Sequence, residues 1–168
     1  MRTITITEIQ KILRPHDRIM ALDISASSIG VAVATISIGV STPLETIARK
    51  GIKADATSLN RLLDQYPSAV IVVGWPLNMD GTEGKRCQSV KDSATEIMKY
   101  VNQPAPPVLF WDERLSTEDG DRLVDNLRDK QGKLTNSLGK KNASKARDHL
   151  AAKVILDGVV ESLKITNY

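Results

Sequence analysis

The chain has very little of several residue types on which common functional sites depend. A single cysteine, Cys87, among 168 residues excludes an internal disulfide and a zinc site built from several cysteines. Aromatic residues make up only 4% of the chain, which argues against a protein that binds single strands by stacking bases on exposed rings. The two histidines, His16 and His149, occur in no metal-binding or catalytic-triad pattern. Thiol or imidazole chemistry is therefore not indicated.

Long apolar runs and phosphate-binding sequences are also missing. No run approaches the roughly 18 residues of a membrane span, and the first ten residues lack the apolar core of a signal peptide. Neither the Gly-x-x-x-x-Gly-Lys-Ser/Thr loop nor the Gly-x-Gly-x-x-Gly turn is present. We therefore expect a cytoplasmic protein with no membrane partner. Its length favours one globular domain, and its net charge of +3 is compatible with a polyanionic partner such as nucleic acid.

Hydrophobic patterns predict five strands and four long helices. The predicted strands are residues 19–22, 31–36, 40–49, 69–74 and 108–111, and the predicted helices are residues 54–65, 85–101, a segment beginning at Ser116 or Thr117, and 145–163. The first three strands follow one another directly, which favours an antiparallel half-sheet, whereas the last two are separated by helices, as parallel strands are. We expect an α/β fold with a mixed five-stranded sheet, three antiparallel plus two parallel strands, and helices on both faces.

The two ends of this domain have their own patterns. Residues 1–17 are predicted to form an N-terminal appendage with a short helix, which Thr7 and Gln10 would begin as a capping box. Residues 18–168 are predicted to form the single main domain. Residues 128–147 contain seven basic residues and one acidic residue among glycine, serine and asparagine. This composition indicates a flexible basic loop at about residues 130–146, for which solubilising the chain is a sufficient role.

Carboxylates are the remaining source of chemistry. Asp23 lies on the first predicted strand, Asp112 and Glu113 end the fifth, and Asp148 opens the last helix, where alanines one turn later allow close approach to the sheet. Three converging carboxylates require a cation between them, and their hard oxygens suit Mg²⁺ or Mn²⁺. Two such ions support phosphodiester hydrolysis. The pattern is compatible with a metal-dependent nuclease.

Each acid also has a purely structural interpretation. Asp23 could be satisfied by backbone N–H groups of a turn, and Asp148 could be an acid favoured by a helix N-terminus. Glu113 could form a surface ion pair with Arg114. Asp112 is the weaker ligand candidate, because neighbours on a strand point to opposite faces and only one of Asp112 and Glu113 can face a shared site.

Taken together, four sequence blocks resemble the YqgF family of RNase H-like nucleases. Members of that family are described as Holliday junction resolvases and as the nuclease that trims precursor small-subunit ribosomal RNA. The similarity covers residues 18–160, and its second block is the most specific. The blocks are ALDISASSIGVAV at 21–33, IVVGWPLNMDGT at 71–82, FWDERLST at 110–117 and KARDHLAA at 145–152.

The resemblance implies an RNase H-like fold, with Asp23, Glu113 and Asp148 as catalytic residues that hold Mg²⁺ or Mn²⁺. Asn78 and Asp80 would line the substrate cleft. Basic residues would contact the phosphate backbone of the substrate, namely Arg114, Lys140, Lys141 and Lys145.

The implied substrate is structured nucleic acid, either an RNA precursor such as pre-16S rRNA or branched DNA. A four-way junction has two equivalent strands to cut and would favour a symmetric dimer, so both a monomer and a homodimer remain open. An actin-like phosphotransferase or ATPase also begins with an acidic strand and hairpin, but the missing second phosphate loop argues against that class.

The chain departs from the family pattern beside Asp23. Ser25 occupies a position that is normally glycine, and Ser27 and Ser28 occupy positions that usually carry lysine or arginine. These differences motivate an alternative, a non-catalytic factor that binds nucleic acid in ribosome assembly. Because the acids are retained, we expect an active nuclease with altered substrate contacts.

Overall fold

The computed structural model describes residues 1–112 and 140–165, with side chains described for 1–112 and 149–164. This part of the chain forms five strands and four helices. The strands are β1 (Arg18–Ile24), β2 (Ser28–Thr35), β3 (Ser41–Ala48), β4 (Val70–Trp75) and β5 (Val108–Asp112). The helices are α1 (Ile6–Ile12), α2 (Ile52–Gln65), α3 (Lys85–Met98) and α4 (Lys140–Ile165).

All five strands belong to one sheet in the order β3-β2-β1-β4-β5. Pairing is antiparallel from β3 to β2 and from β2 to β1, and parallel from β1 to β4 and from β4 to β5. The predicted mixed sheet is therefore confirmed. Pro43 lies on the edge strand β3, opposite Ala32 and next to an irregularity in the pairing, where its missing N–H is tolerated.

The two faces of the sheet support separate apolar layers. Strand residues such as Leu22 and Val73 pack with Leu59 of α2 and Ile97 of α3. We call this the α2/α3 face. The alternate strand residues, such as Ala21, pack against α1 and α4 on the other side, which we call the α1/α4 face. Helices on both faces were expected, and the two layers confirm them.

The N-terminal segment extends the sheet at its β5 edge. The N–H of Ile4 donates to the carbonyl of Val108 at 2.9 Å, and the N–H of Val108 donates to the carbonyl of Arg2 at 2.9 Å. Ile9 of α1 is fully buried on the α1/α4 face. The segment 1–17 therefore shares the core of the domain through its apolar side chains.

The start of α1 differs from the sequence prediction. The capping box is formed by Thr5 and Glu8, since Thr5 Oγ1 accepts from the Glu8 N–H and the Glu8 carboxylate accepts from the Thr5 N–H. Thr7 and Gln10, the predicted pair, lie inside the helix. The motif begins two residues earlier because the chain is already helical at Ile6.

The last helix also begins earlier than predicted. It starts at Lys140, so residues 140–146, which the sequence assigned to a basic loop, have helical backbone. The rest of that loop, and the helix predicted to begin at Ser116 or Thr117, lie outside the described residues. Among the described helices, none is both long and apolar enough to cross a bilayer.

Candidate active site

Asp23 is the next-to-last residue of β1 and is half-buried. It follows Ala21 by two residues, so its side chain lies on the α1/α4 face. Its antiparallel partner on β2 is Gly30, in the hairpin that the sequence predicted. A carboxylate is thus held by a central strand, close to the end of that strand, under the layer that contains α4.

The register of the sheet brings Thr46 to the level of Asp23. Gly30 pairs with Asp23 on one side and with Thr46 of β3 on the other. Two strand spacings separate Asp23 from Thr46, about 10 Å, and Gly30 contributes no side chain between them. Thr46 Oγ1 is 3.3 Å from Nδ1 of His149, on α4. This contact places the part of α4 around His149, including the residue before it, over the same level of the sheet as Asp23.

The last two residues of β5, Trp111 and Asp112, have side chains on opposite faces of the sheet. Trp111 packs on the α1/α4 face, and its buried Nε1 has no hydrogen-bond partner among the described residues. Asp112 pairs with Trp75 of β4 and lies on the α2/α3 face, where Trp75 and Phe110 form an edge-to-face pair at 4.8 Å. Asp112 and Asp23 therefore lie on opposite faces of the sheet.

The turn after Asp23 is closed by Ser25 and Ser28, two of the three serines at which the sequence departs from the family pattern that it resembles. Ser25 N–H donates to the Ser28 carbonyl at 2.9 Å, and Ser28 N–H donates to Ser25 Oγ at 3.1 Å. The two hydroxyls are 2.8 Å apart. No described residue other than glycine has a positive φ, so Ser25 requires no left-handed backbone. Serine is thus compatible with the turn without strain.

A buried ion pair joins this turn to α2. Arg49 Nη1 donates to the Ser25 carbonyl at 3.0 Å, and Arg49 Nε donates to Asp55 Oδ2 at 3.1 Å. Asp55 also accepts from the Lys50 N–H at 3.0 Å, and its side chain is fully buried. Sequence reasoning missed Thr46 and Arg49 because their contacts with His149 and Ser25 join distant parts of the chain. It also missed Asp55, for which the only local signal is an acid in the first turn of α2.

The loop after β4 contains Asn78 and Asp80, the predicted cleft residues. Asn78 Nδ2 donates to Thr82 Oγ1 at 2.9 Å, and Asp80 Oδ1 accepts from the Thr82 N–H at 3.0 Å and from its hydroxyl at 2.7 Å. These contacts brace the loop from within. Because β4 runs parallel to β1, the loop leaves the sheet at the carboxyl end of these two strands, which is the end at which Asp23 lies.

The remaining predicted site residues are placed only in part. Lys140, Lys141, Lys145 and Asp148 belong to α4, but their side chains lie outside the described set. Glu113 and Arg114 follow β5 directly and are not described. Among the side chains that are described, no three metal-binding groups cluster. Asp23 nevertheless supplies the hard oxygen donor that Mg²⁺ or Mn²⁺ prefers, so its chemistry fits such an ion.

Comparison with known proteins agrees with this architecture. The family model described as RuvX, Holliday junction resolvase, matches residues 17–162. A Ruegeria pomeroyi protein named "Putative pre-16S rRNA nuclease" is 38% identical over 160 residues, covering 95% of this chain and 96% of its own. A Caulobacter vibrioides protein with the same name is 34% identical over 164 residues, covering 98% and 99% respectively.

A solved structure supports the fold independently of sequence. T. thermophilus RuvC in complex with a Holliday junction substrate superposes with a TM-score of 0.59 at 10% identity, covering 90% of this chain and 96% of that one. At this identity the likeness concerns the fold alone, which is RNase H-like. The extent of the family match and the identity to full-length relatives show that the chain belongs to the RuvX (YqgF) Holliday junction resolvase family.

Proposed function

We propose that this protein is a metal-dependent endonuclease that hydrolyses phosphodiester bonds in structured nucleic acid. Its substrate is either the 5′ end of precursor 16S rRNA or Holliday-junction-like DNA, and its site of action is the cytoplasm. Family membership and the names of the relatives support the nuclease activity. The observation that carries the proposal is the Thr46–His149 contact, because it brings the helix position before His149 to the level of Asp23.

Asp23, Glu113 and Asp148 are the proposed catalytic residues and metal ligands. Position 148 lies one turn before Ala152, which is fully buried between α4 and the sheet. Asp112 lies on the α2/α3 face, away from Asp23, and is therefore not among the proposed ligands. A bound Mg²⁺ or Mn²⁺ would activate water and stabilise the leaving oxygen. The three carboxylates would hold it at the edge where β1 ends.

Substrate contacts are proposed for two groups of residues around this edge. The braced loop with Asn78 and Asp80 lies on the β4 side of Asp23. The basic residues Arg114, Lys140, Lys141 and Lys145 would neutralise backbone phosphates. A four-way junction with two equivalent strands to cut would favour a homodimer, whereas a monomer suffices for an RNA end.

The experiment is a cleavage panel that varies substrate, metal and one carboxylate. The substrates are a four-way DNA junction and a precursor 16S rRNA fragment, each with Mg²⁺, Mn²⁺ or EDTA. Asp23→Asn is compared with Asp64→Asn, which alters an exposed aspartate of α2 on the other side of the sheet. We expect metal-dependent cleavage that Asp23→Asn lowers at least about 100-fold and Asp64→Asn leaves unchanged.

Calorimetric titration with Mn²⁺ gives a readout that does not depend on cleavage. Asp23→Asn is expected to weaken Mn²⁺ binding, because one anionic ligand is lost. Cleavage by Asp23→Asn at the wild-type rate contradicts the assignment of the site. Nucleic-acid binding that persists in EDTA, with no cleavage under any divalent ion, identifies the non-catalytic assembly factor that Ser25, Ser27 and Ser28 suggest. Analytical ultracentrifugation with junction DNA decides between monomer and homodimer.

A further inference from the structure

Met79 has the most exposed large apolar side chain among the described residues. Its exposed fraction is 96%, compared with 69% for Ile38 and 62% for Val40. Single exposed apolar side chains are common on protein surfaces and by themselves indicate nothing. The loop that carries Met79 and the position of that loop distinguish it from the other two.

The loop cannot easily fold back to cover Met79, because it is hydrogen-bonded on both sides of that residue. The Asn78 N–H donates to the Thr82 carbonyl at 2.9 Å, and the Gly81 N–H donates to the Asn78 carbonyl at 2.8 Å. The side chains of Asn78 and Asp80 both bond Thr82 as well. Met79 therefore stands at the tip of a closed polar turn.

Two glycines and a cysteine fix this turn on the domain. Gly81 has φ of +84°, which a side chain would strain. A Cβ at Gly84 would lie 3.1 Å from the Asn78 amide oxygen, so the start of α3 packs directly on the turn. At the base of the loop, Cys87 Sγ donates to the Pro76 carbonyl at 3.2 Å. The turn is therefore a rigid support for its tip.

The turn lies at the end of the sheet at which β1 and β4 finish, which is also the end at which Asp23 lies. β4 and β1 are parallel neighbours, with Val73 paired to Leu22, so the loop after Trp75 leaves the sheet beside Asp23. Ile38 lies at the opposite end of the sheet. It is in the turn after β2, whose last residue, Thr35, pairs with Arg18 at the start of β1. Of these two exposed apolar residues, only Met79 lies at the end of the sheet at which Asp23 lies.

We infer that Met79 is an apolar wedge that contacts base faces of the nucleic-acid substrate and stabilises an unstacked base step next to the cleaved strand. The inference rests on the proposed nuclease function and assigns a residue to its substrate recognition. Proteins that distort nucleic acid insert methionine, leucine or phenylalanine between base steps, and the rigid backbone of the loop lowers the entropic cost of such insertion. Asn78 and Asp80, beside Met79, would serve as its support.

The test measures binding and base unstacking in EDTA, where no cleavage occurs. A four-way DNA junction and a duplex–single-strand RNA junction each carry 2-aminopurine at successive positions near the branch, and a continuous duplex serves as the unbranched reference. The variants are Met79→Ala, Met79→Leu as an apolar replacement of similar size, and Ile38→Ala as the matched truncation at the opposite end of the sheet. Cleavage by each protein is measured separately with Mg²⁺ or Mn²⁺.

The wild type is expected to raise 2-aminopurine fluorescence at one position of a branched substrate. Met79→Ala is expected to abolish that rise and to weaken binding at least about fivefold. This factor corresponds to the low end of the binding energy of one base stacked on a side chain. Met79→Leu and Ile38→Ala are expected to behave as wild type. If Met79→Ala binds, unstacks and cleaves like the wild type, the inference is wrong and the nuclease proposal survives. A wild type that neither binds nor cleaves any substrate overturns both.

Discussion

Arg49 and Asp55 form an ion pair with Nε 3.1 Å from Oδ2, in which the aspartate side chain is fully buried and the arginine side chain is 18% exposed. Arg49 also donates through Nη1 to the carbonyl of Ser25, which lies two residues beyond Asp23. The pair therefore links the α2 helix on one face of the sheet to the turn that follows the proposed catalytic strand. This linkage explains how a turn without glycine or a proline is held in place.

Removal of the buried carboxylate is expected to destabilise the protein strongly. Asp55→Ala leaves the Arg49 guanidinium without its counter-charge and the Lys50 N–H without its acceptor. We expect a loss of about 3 kcal/mol in the free energy of unfolding, measured by urea denaturation. Glu45→Ala is the matched control, because it breaks an exposed pair with Arg61 and should change stability by less than about 1 kcal/mol. Equal losses in the two variants would contradict a special role for Asp55.

A larger side chain at position 152 is expected to separate α4 from the sheet. Ala152 is fully buried on the α1/α4 face, so Ala152→Leu should cost about 1–3 kcal/mol in thermal unfolding experiments. It should also lower the cleavage rate, because position 148 on the same helix moves away from Asp23. Ala151→Leu adds the same volume at the neighbouring, half-buried position. A cleavage rate in Ala152→Leu that matches Ala151→Leu would show that α4 tolerates the displacement.

The Thr46–His149 contact is expected to make a modest contribution to stability. Thr46→Val keeps the shape of the side chain and removes its hydroxyl, which is 3.3 Å from Nδ1 of His149. We expect a loss of about 1 kcal/mol in urea denaturation and a shift of the His149 ring ¹⁵N resonances. Thr42→Val alters an exposed position of the same strand and should do neither. Unchanged His149 resonances in Thr46→Val would show that the contact is not maintained in solution.

The capping box at α1 predicts a pH dependence on the acid side. The Thr5 backbone N–H, which donates to Glu8 Oε2 at 2.8 Å, lowers the pKa of Glu8, with smaller contributions from the Thr5 hydroxyl and nearby cations. The folded state favours the ionised form of Glu8. The contribution of Glu8 to stability is therefore present above the ordinary carboxyl pKa of about 4.3, and it is lost as the pH falls through the lowered pKa of the folded state.

NMR titration tests this dependence directly. The Thr5 amide resonance should follow Glu8 protonation with a midpoint below the ordinary carboxyl range. Glu8→Gln should abolish that titration, because the amide remains neutral, whereas Glu161→Gln on α4 should leave it intact. A midpoint at or above the ordinary range would rule out the pairing in solution.

Much of the fold follows from local sequence patterns. The apolar segment of β4 has no alternation because both of its faces are covered, and this pattern alone predicted a buried parallel strand. The small residues between β1 and β2 predicted the hairpin that holds Asp23. Element ends were less well predicted: the α1 cap lies at Thr5, two residues before the predicted Thr7, because several threonines offer equivalent local signals.

The sequence by itself determined which groups are candidates for the chemistry, since with one cysteine and two histidines the carboxylates are what remains to hold a hard cation. Only the tertiary structure decided which groups share a level of the sheet. It placed Thr46 opposite Gly30, Arg49 against the Ser25 carbonyl, and Asp112 on the face away from Asp23. These relationships depend on strand register and on side-chain alternation. A shift of one residue in register would exchange the faces, and no local pattern encodes that choice.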